Sequence, residues 1–287
     1  MKIVHSVREI NSLSKKWKKK GYKVSLVPTM GCLHEGHLSL MRKAKSVTDK
    51  TIVSLFVNSK QFGPNEDLDS YPRQFQADCS LAEGEGVDAL FCPEPEEIYP
   101  ENFQTSINVT ILSQGMCGKD RPVHFGGVAT VVTKLFNITI PDVAVFGKKD
   151  FQQLVLVRQL TKDLNYNIEI IGAPIFREKD GLAMSSRNRY LDDAGRRTAL
   201  CLSQAIHAAK ELVKGRQDVA ANTVIEKTKE IVDNAGGKLD YAVVVNEFNL
   251  IPDKFVNKHS VLALAVKIGD SIRLIDNSKL MMASFKK

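Results

Sequence analysis

Apolar residues along this chain follow two rhythms. Compact runs rich in Val, Ile and Leu, "KVSLVPT" (23–29) and "KTIVSLFVN" (50–58), read as strands buried on both faces. Between them Leu40, Met41, Ala44 and Val47 recur at helical spacing and mark the inner face of a helix. Upstream, Val7, Ile10, Ser14 and Trp17 do the same, and Gly21 stands where a helix C-terminus is capped. The alternation continues with a helix in "RQFQADCSLAEGEG" (73–86) and strands in "VDALFC" (87–92) and "TSINVTI" (105–111). "GGVATVVTKLFNIT" (126–139) has a helix's length despite its β-branched residues, and "PDVAVFG" (141–147) is a strand. "DFQQLVLVRQLTKDL" (150–164) predicts a helix and "NIEIIGAP" (167–174) another strand. Strand–helix–strand alternation of this kind predicts an α/β fold, a doubly wound parallel sheet covered on both faces.

The rhythm changes after Arg177. Two helices are expected within 192–235, in "AGRRTALCLSQAIHAAKELV" and "VAANTVIEKTKEIVDN". Three strands follow, "LDYAVVVN", "SVLALAVKIG" and "DSIRLIDN", with "IGDSI" reading as a tight hairpin. The expected organisation is therefore a parallel-sheet domain over 1–175 and a second, smaller α+β domain over 176–287.

Composition changes this picture little. With 287 residues, 43% hydrophobic and 25% charged, the chain can bury a core without staples. It contains no run of about 18 apolar residues, and "MKIVHSVREI" is too polar for a secretory signal. Cys32, Cys79, Cys92, Cys117 and Cys201 are odd in number and form no C-x-x-C pair, which points to free thiols in a reducing compartment. The net charge of +7 is concentrated partly in "SKKWKKKGYK", a solvated helix face. A nucleic-acid patch is the sharper reading, but interleaved aromatics and a binding motif are missing. The surplus also suits anionic small substrates.

The chemistry sits in loops at strand ends, where ligands of doubly wound sheets collect. "VPTMGCLHEGHLSLM" (27–41) places Gly31, His34, Gly36 and His37 between a strand and a helix. A metal site, a phosphate cradle and an ordinary turn are all open readings. The H-x-x-H spacing differs from that of a zinc helix, whereas glycines ahead of a helix N-terminus suit an anion. "FVNSKQFGPNEDLDSYPRQ" carries Asn58 and Gln61, neutral groups able to orient a polar substrate, with Asp67 and Asp69 read as loop acids. In "GKDRPVHFGGVATVV" Arg121 and His124 are candidates to face an anion. "VFGKKDFQQL" offers Gly147, Lys149, Asp150 and Gln153, and "EKDGLAMSSRNRYL" packs Ser185, Ser186 and Arg187 together. Such polar, Gly-bearing loops at strand ends point to one cleft for a multiply charged ligand.

In this order, "PTMGCLHEGH", "FVNSKQF" with "YPR", "RPVHFGGVATVVTKLF", "FGKKDFQQL" and "GLAMSSRNRYL" resemble the pantoate–β-alanine ligases, over residues 28–191, with "NEFNL" and "RLIDN" fitting further on. An isolated H-x-G-H element marks the wider class of nucleotidylyl transferases and class I aminoacyl-tRNA synthetases; the ordered set is far more specific. The resemblance implies a Rossmann-like sheet, with the small domain closing over the active site. It implies a cytoplasmic homodimer that makes pantothenate from pantoate, β-alanine and ATP, with Mg2+ accompanying the ATP, and neither nucleic acid nor membrane as partner. Pantoate's carboxylate would attack the α-phosphorus of ATP, and β-alanine's amine would then attack the resulting adenylate.

By resemblance the ATP site comprises Met30, Gly31, Cys32, Leu33, His34, Glu35, Gly36 and His37, together with Gly147, Lys148, Lys149 and Asp150. Phe176, Met184, Ser185, Ser186 and Arg187 complete it. Of these His37, His34, Lys149 and Arg187 carry catalysis, with His37 the usual proton donor. Gln61 and Gln153 would hold pantoate, with Asn58 beside them, and no protein side chain is expected to ligate a metal. Three positions depart from the family's pattern: Ser59 where proline is usual, Val123 for a common glycine and Lys148 for glutamate. Ser59 would loosen the loop before Gln61, and Val123 would strain its turn if that glycine sits at positive φ. An enzyme of this fold that ends at nucleotidyl transfer, and a non-catalytic RNA-binding protein, are the competing readings.

Overall fold

The computed structural model describes residues 1–64, 66–269 and 272–281 of the chain. They form two compact units, the first made of residues 1–148 and 156–174, the second of residues 149–155 and 175 onward.

Unit 1 runs β1 (Lys2–Val4), α1 (Val7–Lys19), β2 (Val24–Thr29), α2 (Glu35–Lys45) and β3 (Lys50–Leu55). It continues with α3 (Phe75–Gly84), β4 (Ala89–Phe91), α4 (Pro95–Ile98), α5 (Cys117–Asp120), α6 (His124–Thr139), β5 (Val143–Gly147), α7 (Phe151–Asp163) and β6 (Glu169–Ala173). The first turn of α7 is counted with unit 2. All six strands are parallel, in the order β1-β4-β3-β2-β5-β6. Chain order reverses between β2 and β5, so the switch-point crevice of a doubly wound sheet opens beyond Thr29 and Gly147. Val27, Val53, Val143 and Val145 pack with Leu38, Met41 and Ala44 of α2 and with Cys79 and Ala82 of α3. Helices α1 and α6 pack on each other and on β2. Ser6 caps the start of α1, and Gly21, at φ +80, donates its N–H to the Lys18 carbonyl beyond that helix's end.

Two details differ from the sequence pattern. "TSINVTI" forms no strand: the Ile107 N–H donates to Thr130 Oγ1 of α6 at 3.0 Å, and Ile111 is exposed. Its β-branched residues favour extended backbone, but ladder partners decide a strand. The place beside β4 is taken by β1, a three-residue strand too short to show periodicity.

Unit 2 adds α8 (Asp193–Ala199), α9 (Cys201–Val213), α10 (Ala221–Asn234) and an antiparallel sheet of β7 (Lys238–Asn246), β8 (Ser260–Ile268) and β9 (Ile272–Lys279). Where one helix was expected over 194–213 there are α8 and α9, parted at Leu200, whose φ −61 and ψ −19 remain helical. Asp192 caps α8 by accepting from the Gly195 N–H at 2.7 Å. The core joins Leu202, Ala205, Ile206 and Ala209 of α9 to Leu262, Leu264 and Val266 of β8. The predicted hairpin joins β8 to β9 with Ile268 opposite Ile272; its tip, Asp270 and Ser271, lies outside the described residues.

Candidate functional site

The loop after β2 turns sharply. Gly31 sits at φ +82 and Cys32 at φ +50, and a side chain on Gly31 would put its Cβ 2.9 Å from an Asp78 oxygen. A non-glycine residue in the left-handed region costs about 1–3 kcal/mol and persists only where its surroundings fix it. Asp78 does so here. Its buried carboxylate, carried by α3, accepts from the Cys32 N–H at 2.9 Å and the Leu33 N–H at 2.7 Å. Thr29 Oγ1 donates to the Ser54 carbonyl at 2.8 Å and accepts from the Gly31 N–H at 3.2 Å.

The turn delivers His34 as the N-cap of α2, in extended backbone at φ −144. Its N–H donates to Nδ1 of His37 at 3.3 Å, and the two imidazoles touch in a tilted arrangement, centroids 4.0 Å apart and planes inclined by 33°. An Nδ1 that accepts leaves the ring proton of neutral His37 on Nε2. The pair thus stands at the positive end of a helix dipole, directly beyond the switch point. Glu35, the acid nearest that end, is paired with Arg42.

Asn58 and Gln61 follow β3, at the mouth of the 3-10 turn Ser59–Gln61, and both are buried. Asn58 Nδ2 donates to Gln61 Oε1 and to the Gly127 carbonyl, each at 3.1 Å, while the Tyr99 hydroxyl donates to Asn58 Oδ1 at 2.8 Å. Gln61 Nε2 faces Met30 Sδ at 2.8 Å, which joins this loop to the histidine loop. Arg121 and His124, candidates to face an anion, turn towards the loop instead. His124 Nδ1 meets the Gln61 carbonyl at 2.9 Å, and Arg121 pairs with Glu66. Burial pushes the Glu66 carboxyl up, but the hydrogen bonds and charge of Arg121, with a Gly63 backbone bond and the His124 ring, together hold the group below its ordinary value. A cavity of about 340 Å³ borders Met30, Gly31 and Asp78 on the side of His5, Arg73 and Cys92.

In unit 2, Lys149 and Gln153 are half-buried and Asp150 is exposed. Lys148, between Gly147 and Lys149, turns its side chain outward and donates its N–H to the Ala173 carbonyl at 2.9 Å. Phe176 and Met184, eight positions apart, are brought together by a bond from the Met184 N–H to the Phe176 carbonyl at 2.9 Å. Arg177 bridges Ala183 between them, with Gly181 at φ +94 in the turn. Ser185 Oγ accepts from the Arg187 N–H at 3.3 Å and starts the 3-10 turn Ser186–Tyr190. Asn188 fastens this turn through Glu178 Oε1 at 2.6 Å and the Ala183 carbonyl at 3.1 Å.

Two of the family departures find an answer. Val123 has φ −87, so a β-branched residue there is unstrained. Ser59 opens its 3-10 turn behind Asn58 at φ −82 and ψ 99, backbone that a proline at position 59 would accept. Asp78, which motif reading missed, is the buried group that holds the histidine loop. It lies inside a helix and reaches the histidine loop across about 45 positions. Its only trace in the sequence is an acid at an inward position of α3, beside Cys79 and Ala82. Among the cysteines, burial pushes Cys92 up to about 12 and Cys201 up to about 11, so both stay neutral thiols rather than nucleophiles.

Paired imidazoles at a helix N-terminus and neutral amides in a buried loop can position a phosphate beside a polar acyl group without a covalent nucleophile. This fold and loop set define a nucleotide-using α/β enzyme of the H-x-G-H kind. The family model described as pantoate-beta-alanine ligase matches residues 2–279, and the chain belongs to that family. It is 52% identical to the pantothenate synthetase of Desulfotalea psychrophila over 98% of this chain and 100% of that one. With the pantothenate synthetase of Caldicellulosiruptor bescii it shares 51% identity over 96% of this chain and 98% of the relative. The crystal structure of pantothenate synthetase from Thermus thermophilus superposes with a TM-score of 0.91 at 37% identity, covering 98% of this chain and 100% of that one. The ligase of Francisella tularensis, complexed with beta-gamma ATP and beta-alanine, gives 0.80 at 35% identity over 99% of both chains. The reaction is the ATP-dependent condensation of pantoate with β-alanine.

Proposed function

We propose that this condensation runs through a pantoyl adenylate, with roles divided among the loops described above. A carboxylate oxygen of pantoate forms a bond to the α-phosphorus of ATP as the bond to pyrophosphate breaks. Pantoate is already ionised at neutral pH, so this step needs no general base. The nitrogen of β-alanine then bonds to the acyl carbon, the acyl C–O bond breaks, AMP leaves, and the amine gives up its proton. The protein's share is positioning and relief of charge on phosphate oxygens.

The observation that carries this reading is the bond from the His34 N–H to His37 Nδ1 at the N-terminus of α2. It leaves His37 Nε2–H as the donor for a phosphate oxygen, with the His34 ring tilted against it. Met30, Gly31, Glu35 and Gly36 shape the nucleotide side of the loop; Cys32 and Leu33 act through their Asp78-bound amides. Lys149 and Arg187 neutralise phosphate charge, Ser185 and Ser186 donate hydroxyls, and Gly147, Lys148, Asp150, Phe176 and Met184 complete the ATP contacts. Gln61 and Gln153 hold pantoate, and Asn58 sets the Gln61 amide through their mutual bond. The described residues include no group of three His, Cys, Asp or Glu side chains able to cage a metal. A magnesium ion arriving with ATP would sit mainly on the phosphates and would supply further neutralisation of their charge. Scattered free cysteines support a cytoplasmic setting, and we assign a homodimer by family likeness.

Pyrophosphate exchange tests the chemistry. Labelled pyrophosphate is expected to enter ATP when pantoate is present and β-alanine absent, and AMP to appear only when β-alanine is added. A stable nucleotidylated end product would instead favour the transferase reading.

A further inference from the structure

We propose that Asp276 and Asn277, successive residues of β9 in the "RLIDN" motif, are positioning residues for the two unit 2 segments that carry Lys149 and Met184–Arg187. The inference rests on the reading that those segments act on ATP.

Strand β9 pairs with β8, setting Asp276 opposite Leu264 and Asn277 opposite Ala263. Successive strand side chains leave on opposite sides, so this dipeptide reaches two different places at once. The Asp276 side chain is fully buried, and its oxygens take Arg177 Nη1 at 2.7 Å and Nη2 at 2.9 Å, a two-pronged pair of fixed geometry. The same Nη1 donates to the Gly181 carbonyl at 3.0 Å. Arg177 bridges Ala183, and the Phe176 carbonyl takes the Met184 N–H, so the pair fixes the turn from which Met184–Arg187 departs. On the other side, Asn277 Nδ2 donates to the Lys149 carbonyl at 2.9 Å. Asp276 Oδ1 also accepts the Asn277 N–H at 2.8 Å, which couples the two arms.

A buried ion pair is weak evidence for stability, since apolar residues of like volume serve as well. It does fix direction. Here both arms run from β9 to a stretch assigned to the nucleotide, from residues about 100 or more positions away.

The test is a double-mutant cycle on pyrophosphate exchange, with melting curves recorded for each variant. Asn277→Ala is expected to slow exchange about 10- to 100-fold, the scale of a small misplacement of reacting groups. In a Lys149→Ala background the same change is expected to cost under about 2-fold, because the group it aims is already gone. Equal losses in both backgrounds would mean a merely structural role and overturn the Asn277 half. Arg177→Lys keeps the charge and loses the fork; with Asp276→Asn it is expected to raise the KM for ATP more than that for pantoate. An unchanged KM for ATP in the folded Arg177→Lys enzyme would overturn the Asp276 half. Asp240→Ala, which removes a partner of Arg273 on the same strand, is the control and should leave exchange at the wild-type rate. If Lys149→Ala itself exchanges normally, the assignment of Lys149 to ATP fails first, and this inference falls with it.

Discussion

Asp78 sits where a carboxylate is usually costly, inside a core, and meets that cost by accepting two successive backbone N–H groups of the histidine loop. Asparagine has nearly the same shape but would turn an NH2 towards one of those donors. Asp78→Asn is therefore expected to fold and to slow pyrophosphate exchange about 10- to 100-fold, as displaced catalytic groups do. Wild-type exchange from that variant would remove Asp78 from the site. The histidines carry a second expectation. Nitrogen-15 spectra of the imidazoles at neutral pH should show His37 with its proton on Nε2, and a dominant Nδ1–H form would contradict the bond from His34. Replacing His37 by alanine should leave the fold intact and abolish adenylate formation. Motif spacing made His34, His37, Gln61 and Lys149 visible as candidates, because each follows a strand end within a few residues. Asp78 stayed hidden, and Asn277 was visible only as part of "RLIDN" with no role, because each bonds to a backbone group remote in the chain.

Elements meet the site through close approaches that periodicity does not register. Gly127, in the first turns of α6, lies against the 3-10 turn Ser59–Gln61, and a Cβ added to it would come within 2.6 Å of Gln61 Cα. Gly127→Ala should push Gln61 and Asn58 aside, raising the KM for pantoate while the KM for ATP moves less; an unchanged pantoate KM would show that the turn can yield. Ser59→Pro tests the opposite change. Asn58 before it is already in extended backbone and Ser59 opens the 3-10 turn, so about 0.4–1 kcal/mol of added stability is expected, read as a higher melting temperature. The longer helices and the strands β2, β3, β4, β5 and β6 of the parallel sheet were legible from the apolar pattern, whereas β1, α4 and α5, three or four residues each, were too short to show one. "TSINVTI" was misread because its residues favour extended backbone while its amide at Ile107 is satisfied by Thr130.

Across the molecule, both units hold carboxylates at depressed values. Glu66 in unit 1 is bound by Arg121; in unit 2, Asp180 is bound by Arg196, and Glu247 by Lys279 and His259. In each, desolvation is the largest single influence and raises the group, but the cations, with backbone hydrogen bonds at Glu66 and Asp180, together lower it by more. Such a group binds protons less tightly folded than unfolded, so its stabilisation is complete above the ordinary value, 4.5 for glutamate, and is lost as pH falls through the lower folded value. Urea midpoints should be level near neutral pH and drop below about pH 4.5; Glu66→Gln should flatten part of that drop. A midpoint independent of acid would mean these pairs do not couple to folding. The sequence by itself determined most of the alternation of strands and helices and the ordered loop motifs that mark the family, since these depend on neighbours a few residues apart. Only the tertiary structure decided the strand order that opens the crevice beside β2, the turning of Arg121 and His124 towards Gln61, and the anchoring of the histidine and Lys149 segments by Asp78 and Asn277. Those outcomes depend on which distant backbone groups must be satisfied in the core, and no local pattern encodes that.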